Sequence, residues 1–114
     1  YELISKDFVN HYNSPSFYIF LLKFFNEIKI EPNNFYIEDL LNEIIKNKHY
    51  KKNIFIKENL FFFIELFFYK NINKSKKITY NIKNYFYSKI SDINKYNLDL
   101  ETFFLEFDDK LLSE

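Results

Sequence analysis

The sequence predicts an all-α fold, a compact bundle of about six helices. Three observations support this prediction. The 114 residues include no glycine, whereas the tight turns of β-hairpins favour glycine. Apolar residues recur at helical spacing along the whole chain. Aromatic residues make up 23 % of the composition, so we expect a core built largely of phenylalanine and tyrosine.

The most apolar stretch, residues 57–70, is predicted to be the central helix around which the others pack. Apolar residues recur in it at the i, i+3, i+4, i+7 spacing of one helical face. Other phenylalanines occupy its remaining faces, which is typical of a helix buried on all sides. The stretch is shorter than the roughly 20 apolar residues of a membrane span, and Glu65 lies in its middle. The residues predicted to face the core are Leu60, Phe63, Ile64 and Phe67.

Start signals place three helices in the N-terminal half of the bundle, residues 1–53. The first is predicted over residues 2–12. Ser14 as N-cap and Pro15 at the first helical position begin the second helix. Asn34 follows a proline-containing break and is predicted to cap the third. The second helix presents Phe17, Phe20, Leu21, Phe24 and Ile28, and the third presents Ile37, Leu40, Leu41, Ile44 and Ile45.

Two helices follow the central one in the C-terminal half, residues 54–114, and both halves belong to one domain. Polar connections are predicted at residues 47–53 and 91–97. Ser75 is predicted to cap the fifth helix, and the sixth begins near Asp99. The fifth helix has as its expected buried face Ile78, Ile82, Tyr85, Phe86 and Ile90. The sixth has Leu100, Phe103, Phe104, Phe107 and Leu111.

The composition excludes several classes of function. Sixteen basic and sixteen acidic residues balance, so nucleic acid is not expected as a partner of the whole chain. The absence of cysteine excludes disulfides, thiolate metal ligands and cysteine nucleophiles. No signal-peptide pattern is visible, and a start at Tyr1 suggests a piece of a longer protein. We therefore expect an intracellular, cytoplasmic domain that is membrane-associated, if at all, through its parent protein.

Histidines and carboxylates are the usual candidates for metal binding or acid–base chemistry, and we favour ordinary roles for both. His11 and His49 have no carboxylate or histidine at a ligand spacing, so we expect them on the surface. Glu38 and Asp39 are adjacent and point in different directions on a helix. They and the acidic residues at 106–109 are expected to be solvated rather than catalytic. We expect no metal site, no catalytic residue and no cofactor.

Two basic segments, residues 46–52 and 74–77, leave two interpretations open. They could meet a phosphate surface, either acidic lipid or nucleic acid. Because the chain uses lysine heavily and its charge balances, solvated linkers are the favoured interpretation. Membrane contact is expected only through these segments or flanking regions. A calcium loop at residues 92–103 is rejected, because Tyr96 and Phe103 stand where an EF-hand needs oxygen ligands.

Two motifs resemble the RGS family, the regulators of G-protein signalling. Residues 58–64 read Glu-Asn-Leu-Phe-Phe-Phe-Ile, and this stretch closes with Tyr69-Lys70. The family's central helix reads Glu-Asn-Ile/Leu-x-Phe-Trp-Leu and closes with Tyr/Phe-Lys, so Phe63 stands in place of the tryptophan. Residues 97–102 read Asn-Leu-Asp-x-x-Thr, where the family reads Asn-Leu/Ile-Asp-x-x-Thr-Arg. The resemblance lies within the C-terminal half, and residues 1–53 match the family poorly.

The resemblance implies an RGS-like bundle that regulates an enzyme without being one. Such a domain binds the switch segments of a Gα subunit, and the Gα supplies its own arginine and glutamine for GTP hydrolysis. The family's contacting asparagine and aspartate correspond to Asn59 and Asp99, which are expected in or just after loops at one end of the bundle. Leu100 and Phe103 depart from the family's serine and arginine. The residues predicted to bind the partner are Glu58, Asn59, Asn97, Asp99 and Thr102.

Two functions follow from these observations. The first is an RGS-like protein-interaction domain that accelerates GTP hydrolysis on a Gα-type GTPase. The alternative is a non-catalytic helical scaffold or interaction module with no GTPase partner. Both require the same buried core, for which the sequence predicts Leu60, Phe63, Ile64, Phe67, Phe104 and Phe107.

Overall fold

The computed structural model describes residues 5–8 and 14–112. These residues form six α-helices and no strand, which confirms the predicted all-α bundle of about six helices. Short 3₁₀ turns at Lys6–Phe8 and Pro32–Asn34 and a π-helical turn at Asp108–Leu112 accompany them. The helices are α1 (Pro15–Glu27), α2 (Ile37–Lys46), α3 (His49–Lys52), α4 (Ile54–Asn71), α5 (Tyr80–Tyr96) and α6 (Leu100–Phe107).

The helix predicted over residues 2–12 lies mostly outside the described residues. Within its span the structure describes a 3₁₀ turn at Lys6–Phe8, and Phe8 of this turn is buried. Phe8 packs edge-on against Phe25 of α1, with ring centroids 5.7 Å apart. The turn therefore belongs to the same core as the helices.

Helix α4 occupies the centre of the bundle, as predicted. Its side chains Leu60, Phe63, Ile64 and Phe67 are all buried, and so is the adjacent Phe68. Residues from both halves of the chain join them in one hydrophobic cluster. Burying one such side chain stabilises the fold by roughly 1.5–3 kcal/mol, and α4 buries more side chains than any other helix of the described residues. Phe104 and Phe107 of α6 are buried in the same cluster, as predicted.

The prediction of a polar connection at residues 47–53 was wrong. This segment contains the single-turn helix α3, and Tyr50 in it is buried against Phe104 with ring centroids 4.8 Å apart. Asn53 then caps α4, because its Oδ1 accepts a hydrogen bond from the backbone N–H of Ile56 at 3.1 Å. The cap starts α4 at Ile54, before the predicted position 57.

Helix α2 begins without the predicted cap at Asn34. Asn34 belongs to a 3₁₀ turn, and two carboxylates bind the first amides of α2 in its place. Asp39 accepts from the N–H of Tyr36 at 3.0 Å, and Asp7 accepts from the N–H of Ile37 at 2.9 Å. A negative charge at a helix N-terminus is favoured by the helix dipole as well as by the hydrogen bond.

Helix α5 differs from its prediction at both ends. Thr79, not Ser75, caps it by accepting from the N–H of Ile82 at 3.3 Å. Residues 91–96, predicted as a polar connection, continue the helix to Tyr96. Tyr85, predicted in the core, is exposed, and Phe86 is the one residue of α5 that is buried. The neighbouring apolar residues Ile82 and Ile90 are half-buried against the core.

Candidate partner-binding site

The predicted partner-binding residues fall in two separate places. Glu58 and Asn59 lie in the second turn of α4, not in or just after a loop as expected. Asn97, Asp99 and Thr102 lie where α5 ends and α6 begins. The residues of the first motif therefore lie on α4, and those of the second motif lie at the turn between α5 and α6.

Asn59 has a local structural role in α4. Its side-chain Nδ2 donates a hydrogen bond to the backbone carbonyl of Phe55 at 2.9 Å, in a half-buried position. Phe55 and Phe62, one turn before and after it, both contact Phe17 of α1, with ring centroids 5.5 Å and 5.6 Å away. Asn59 therefore borders the seam between α4 and α1.

The opposite side of α4 faces α5 and α6. Phe68 contacts Phe86 of α5 at 6.3 Å and Phe107 of α6 at 6.1 Å between ring centroids. Phe68 follows Asn59 by nine residues, or about two and a half helical turns, so the two residues point to opposite sides of the helix. The side chain of Asn59 is therefore directed away from the side of α4 that carries the α5–α6 pair.

The starts of α4 and α6 nevertheless lie at the same end of the bundle. Lys48, ahead of α3, pairs with Glu101 of α6 at 3.2 Å, and Lys51 of α3 pairs with the same carboxylate. The hydrogen bond from Lys51, followed by that from Lys48, lowers the pKa of Glu101. Because α3 leads directly into α4, these contacts hold the first turns of α4 and α6 at one end. Asn59 and Asp99 share that end but lie on different sides of it.

The α5–α6 turn uses its predicted residues to end one helix and begin the next. Asn97 adopts a left-handed conformation (φ 52°, ψ 47°), and its N–H donates to the carbonyl of Ile93. Asparagine tolerates this conformation better than most residues and commonly ends helices. Asp99 caps α6 by accepting from the N–H of Glu101 at 3.2 Å. Thr102 is exposed on α6.

Lys70, which closes the first motif, also forms a structural contact. Its ammonium lies 2.8 Å from Asp7 and 2.9 Å from Glu38, and 5.0 Å from the centroid of the Tyr36 ring. Burial acts to lower the pKa of Lys70, but the hydrogen bonds to Asp7 and Glu38 leave it raised above its ordinary value. The prediction that Glu38 is simply solvated was wrong, because this ion pair joins α2, α4 and the N-terminal turn.

His49 also has a partner that its sequence spacing did not reveal. Its Nε2 lies 3.1 Å from the Glu43 carboxylate, and its ring packs edge-on against Phe24 at 5.0 Å. The side chain is partly buried, so the prediction of a surface histidine without a carboxylate neighbour was wrong. His11 lies outside the described residues.

An exposed cluster of apolar side chains lies along the seam between α1 and α4. Phe20 is 51 % exposed although its ring stacks on Phe55, with centroids 5.8 Å apart and an interplanar angle of 28°. Ile54, which precedes Phe55 in the chain, is 75 % exposed, and Phe55 and Phe62 are half-buried. The sequence placed Phe20 in the core, because a periodic pattern does not distinguish the middle of a buried face from its edge. We call the cluster of Phe20, Ile54, Phe55 and Phe62 the aromatic rim.

An open groove of about 440 Å³ lies along α2. Two carboxylates line it, and both are bonded within the protein: Asp39 to Tyr36, and Glu43 to His49. Both carboxylates of the groove therefore already have partners within the protein. Its lining is Asn34, Phe35, Asp39, Asn42, Glu43 and Lys46.

Three further findings limit the kinds of site to consider. Among residues 5–8 and 14–112, histidines and carboxylates nowhere form a group of three that could hold a metal ion. None of the helices in the same residues combines the length and apolar character needed to cross a bilayer. Comparisons of the chain with family models, curated proteins and solved structures find no match. The surface geometry is therefore the basis for a functional proposal.

Proposed function

We propose that the chain is a non-catalytic helical interaction module that binds a partner protein through the aromatic rim. The observation that carries the proposal is the exposure of Phe20 while it stacks on Phe55. Aromatic residues are enriched in the centres of protein interfaces, where a partner removes them from water. A cluster of exposed apolar side chains on a folded domain commonly marks such an interface.

The rim is supported by a rigid base, which favours tight binding. Phe17 is buried beneath it and contacts both Phe55 and Phe62. Side chains that are already held in place lose little conformational entropy when a partner binds. Polar groups surround the apolar centre, with Glu58 exposed and Asn59 half-buried on the same helix. These two residues remain proposed partner contacts at the edge of the rim.

An RGS-like stimulation of GTP hydrolysis has weaker support. It would require Asn59 and Asp99 to contact the same switch segments of a Gα subunit. Asn59 instead faces the α1 side of α4, and both side chains bind backbone groups of their own helices. Their shared end of the bundle is the feature that favours this second function.

The proposal is tested by affinity capture with matched variants. The full chain is used as bait in extracts of its source cells, and captured proteins are identified by mass spectrometry. We expect a partner that binds the wild type and the variant Ile19→Ser but not Phe20→Ser. Ile19 is the neighbouring residue on α1, is 64 % exposed, and lies outside the rim. Partners captured equally by Phe20→Ser would exclude the rim as their binding site.

A second measurement tests the RGS-like alternative. Single-turnover GTP hydrolysis by a Gα subunit is followed with and without the chain, and we expect the same rate in both. An acceleration that Asn59→Ala and Asp99→Ala both remove would establish the RGS-like function in place of an interaction module without a GTPase partner. Circular dichroism of the two variants is needed alongside, because Asp99 also caps α6.

A further inference from the structure

The charge of this neutral chain is unevenly distributed. Residues 66–91 contain six lysines and no aspartate or glutamate, although the whole chain has a net charge of zero. This segment includes the end of α4, the connection after it and most of α5. The connection is therefore a concentrated basic region on a balanced molecule.

Carboxylates lie beside some of these six lysines. Lys70 pairs with Asp7 and Glu38, and Lys89 lies 3.9 Å from Glu106. The remaining four are exposed or half-buried in the connection and the first turns of α5. Within the part of the chain that the structure describes, no carboxylate pairs with Lys74, Lys76 or Lys83. The four lysines are Lys74, Lys76, Lys77 and Lys83.

The connection that carries the lysines has a defined conformation. Ile78 is buried and anchors it to the core. The N–H of Asn73 donates to the carbonyl of Ile78 at 2.7 Å, and the N–H of Ile78 donates to the carbonyl of Ser75. The hydrogen bonds of this turn fix its backbone. Binding of a ligand therefore costs little conformational entropy in this segment.

In the sequence, exposed tyrosines lie on both sides of the connection. Tyr69, near the end of α4, is 87 % exposed, and Tyr80, at the start of α5, is 57 % exposed. Lys83 extends over the rings of Tyr80 and Tyr87, with its ammonium 5.8 Å and 5.2 Å from their centroids. We call Lys74, Lys76 and Lys83 together with Tyr69 and Tyr80 the basic surface.

We infer that the basic surface binds the anionic phospholipid headgroups of a membrane. Lysines near such a surface each strengthen binding about fivefold. Tyrosine prefers the headgroup level of a bilayer, where its ring is buried and its hydroxyl stays in water. A compact patch at one helix connection suits a flat charged surface, whereas single-stranded nucleic acid is usually bound in an extended basic groove.

The inference is tested by sedimentation of the full chain with lipid vesicles. Vesicles of phosphatidylcholine alone are compared with vesicles that also contain phosphatidylserine. We expect binding only to the second kind, and we expect added salt to weaken it. The triple variant Lys74→Gln, Lys76→Gln, Lys83→Gln should lose about a hundredfold in affinity, because three fivefold contributions multiply.

A matched control separates this surface from general attraction between charges. The variant Lys23→Gln, Lys52→Gln, Lys57→Gln removes the same charge from exposed positions in α1, α3 and α4. We expect it to bind close to wild type. An equal loss in both triple variants, or no preference for phosphatidylserine, would overturn the inference. So would tighter binding to single-stranded nucleic acid that the first triple variant abolishes. Failure here leaves the aromatic rim untouched, because the two surfaces share no residue.

Discussion

Helices α4 and α5 are almost equal in length, with 18 and 17 residues, but different forces hold them. Helix α4 buries six side chains, whereas α5 buries Phe86 alone. Most of the stability of helices in proteins comes from tertiary packing of an apolar face. Helix α4 has that packing on nearly every side. Helix α5 depends more on its caps, Thr79 and Asn97, and on a few contacts with α6.

Helices α4 and α5 also differ in how well their apolar spacing predicts which side chains are buried. In α4 the apolar spacing predicts the buried residues correctly. A helix with neighbours on most sides buries most of its apolar residues, so few alternatives exist. In α5 several apolar and aromatic residues compete for one contact with the core. Phe86 is buried, and its neighbour Tyr85 packs against it from the exposed side at 5.2 Å.

The largest expected effect is at the centre of α4. Phe63→Ala should lower the free energy of unfolding by about 3–5 kcal/mol, because it removes a buried ring and leaves a cavity. Chemical denaturation measures this directly. Tyr69→Ala, on the exposed side of the same helix, should change the free energy by less than about 0.5 kcal/mol. If Phe63→Ala lowered the free energy of unfolding as little as Tyr69→Ala, α4 would not be the centre of the fold.

A smaller effect is expected from the helix caps, and it should distinguish the two helices. Thr79→Ala removes the hydrogen bond to Ile82, and Asn53→Ala removes the corresponding bond to Ile56. Each should cost about 1 kcal/mol. Amide hydrogen exchange should locate the loss from Thr79→Ala in the first turns of α5, because little packing holds them. The loss from Asn53→Ala should appear in exchange throughout the core.

Uniform exchange across the protein in both cap variants would contradict this difference. It would mean that α5 unfolds only together with α4, and that one buried ring is enough to couple them. Phe86 contacts Phe68, Phe103 and Phe107, so it is the residue through which such coupling would pass.

The smallest effect concerns pH and the contact between α5 and α6. Glu106 accepts a hydrogen bond from the Tyr85 hydroxyl at 2.6 Å and pairs with Lys110 at 3.1 Å. The Tyr85 bond, together with Lys110 and against partial burial, lowers the pKa of Glu106. A lowered pKa stabilises the folded state above the ordinary pKa near 4.5, and this stabilisation is lost as the pH falls through the lowered value.

Glu106→Gln should therefore be less stable than wild type at neutral pH, by less than about 1 kcal/mol because water screens the pair. The two proteins should become equally stable in acid, below the lowered pKa. Thermal melts across the acid range give the comparison. In a double-mutant cycle with Tyr85→Phe, the two effects should be non-additive. If the two effects added exactly, the hydrogen bond between Tyr85 and Glu106 would contribute nothing to the stability of the fold.

The central helix, the all-α class and the buried face of α6 could be predicted because apolar spacing records them directly. The helix caps were harder to predict. Asn34 and Ser75 are residues that commonly cap helices, but the N–H of Tyr36 at the start of α2 donates to Asp39 instead. Helix α5 is capped by Thr79. Contacts between distant residues leave no local signal. Lys51 and Glu101 are 50 positions apart, and nothing in either segment predicts that they pair.

In the candidate site, one residue pattern fits two different roles. Residues 97–102 were interpreted as a partner-binding motif, and two of them serve the ends of α5 and α6. Asparagine followed shortly by aspartate is also what one helix end and the next helix start require. The aromatic rim could not be predicted, because the exposure of Phe20 depends on how α1 sits against α4.

The ion pair between Lys70 and Asp7 has a consequence for how the chain folds during synthesis. The two residues are 63 positions apart, so this contact must wait until Lys70 has left the ribosome. The turn at Lys6–Phe8 can therefore complete this contact only after α4 has been synthesised. A nascent chain halted before α4 is complete would leave Asp7 without its cation and Phe8 without a complete core.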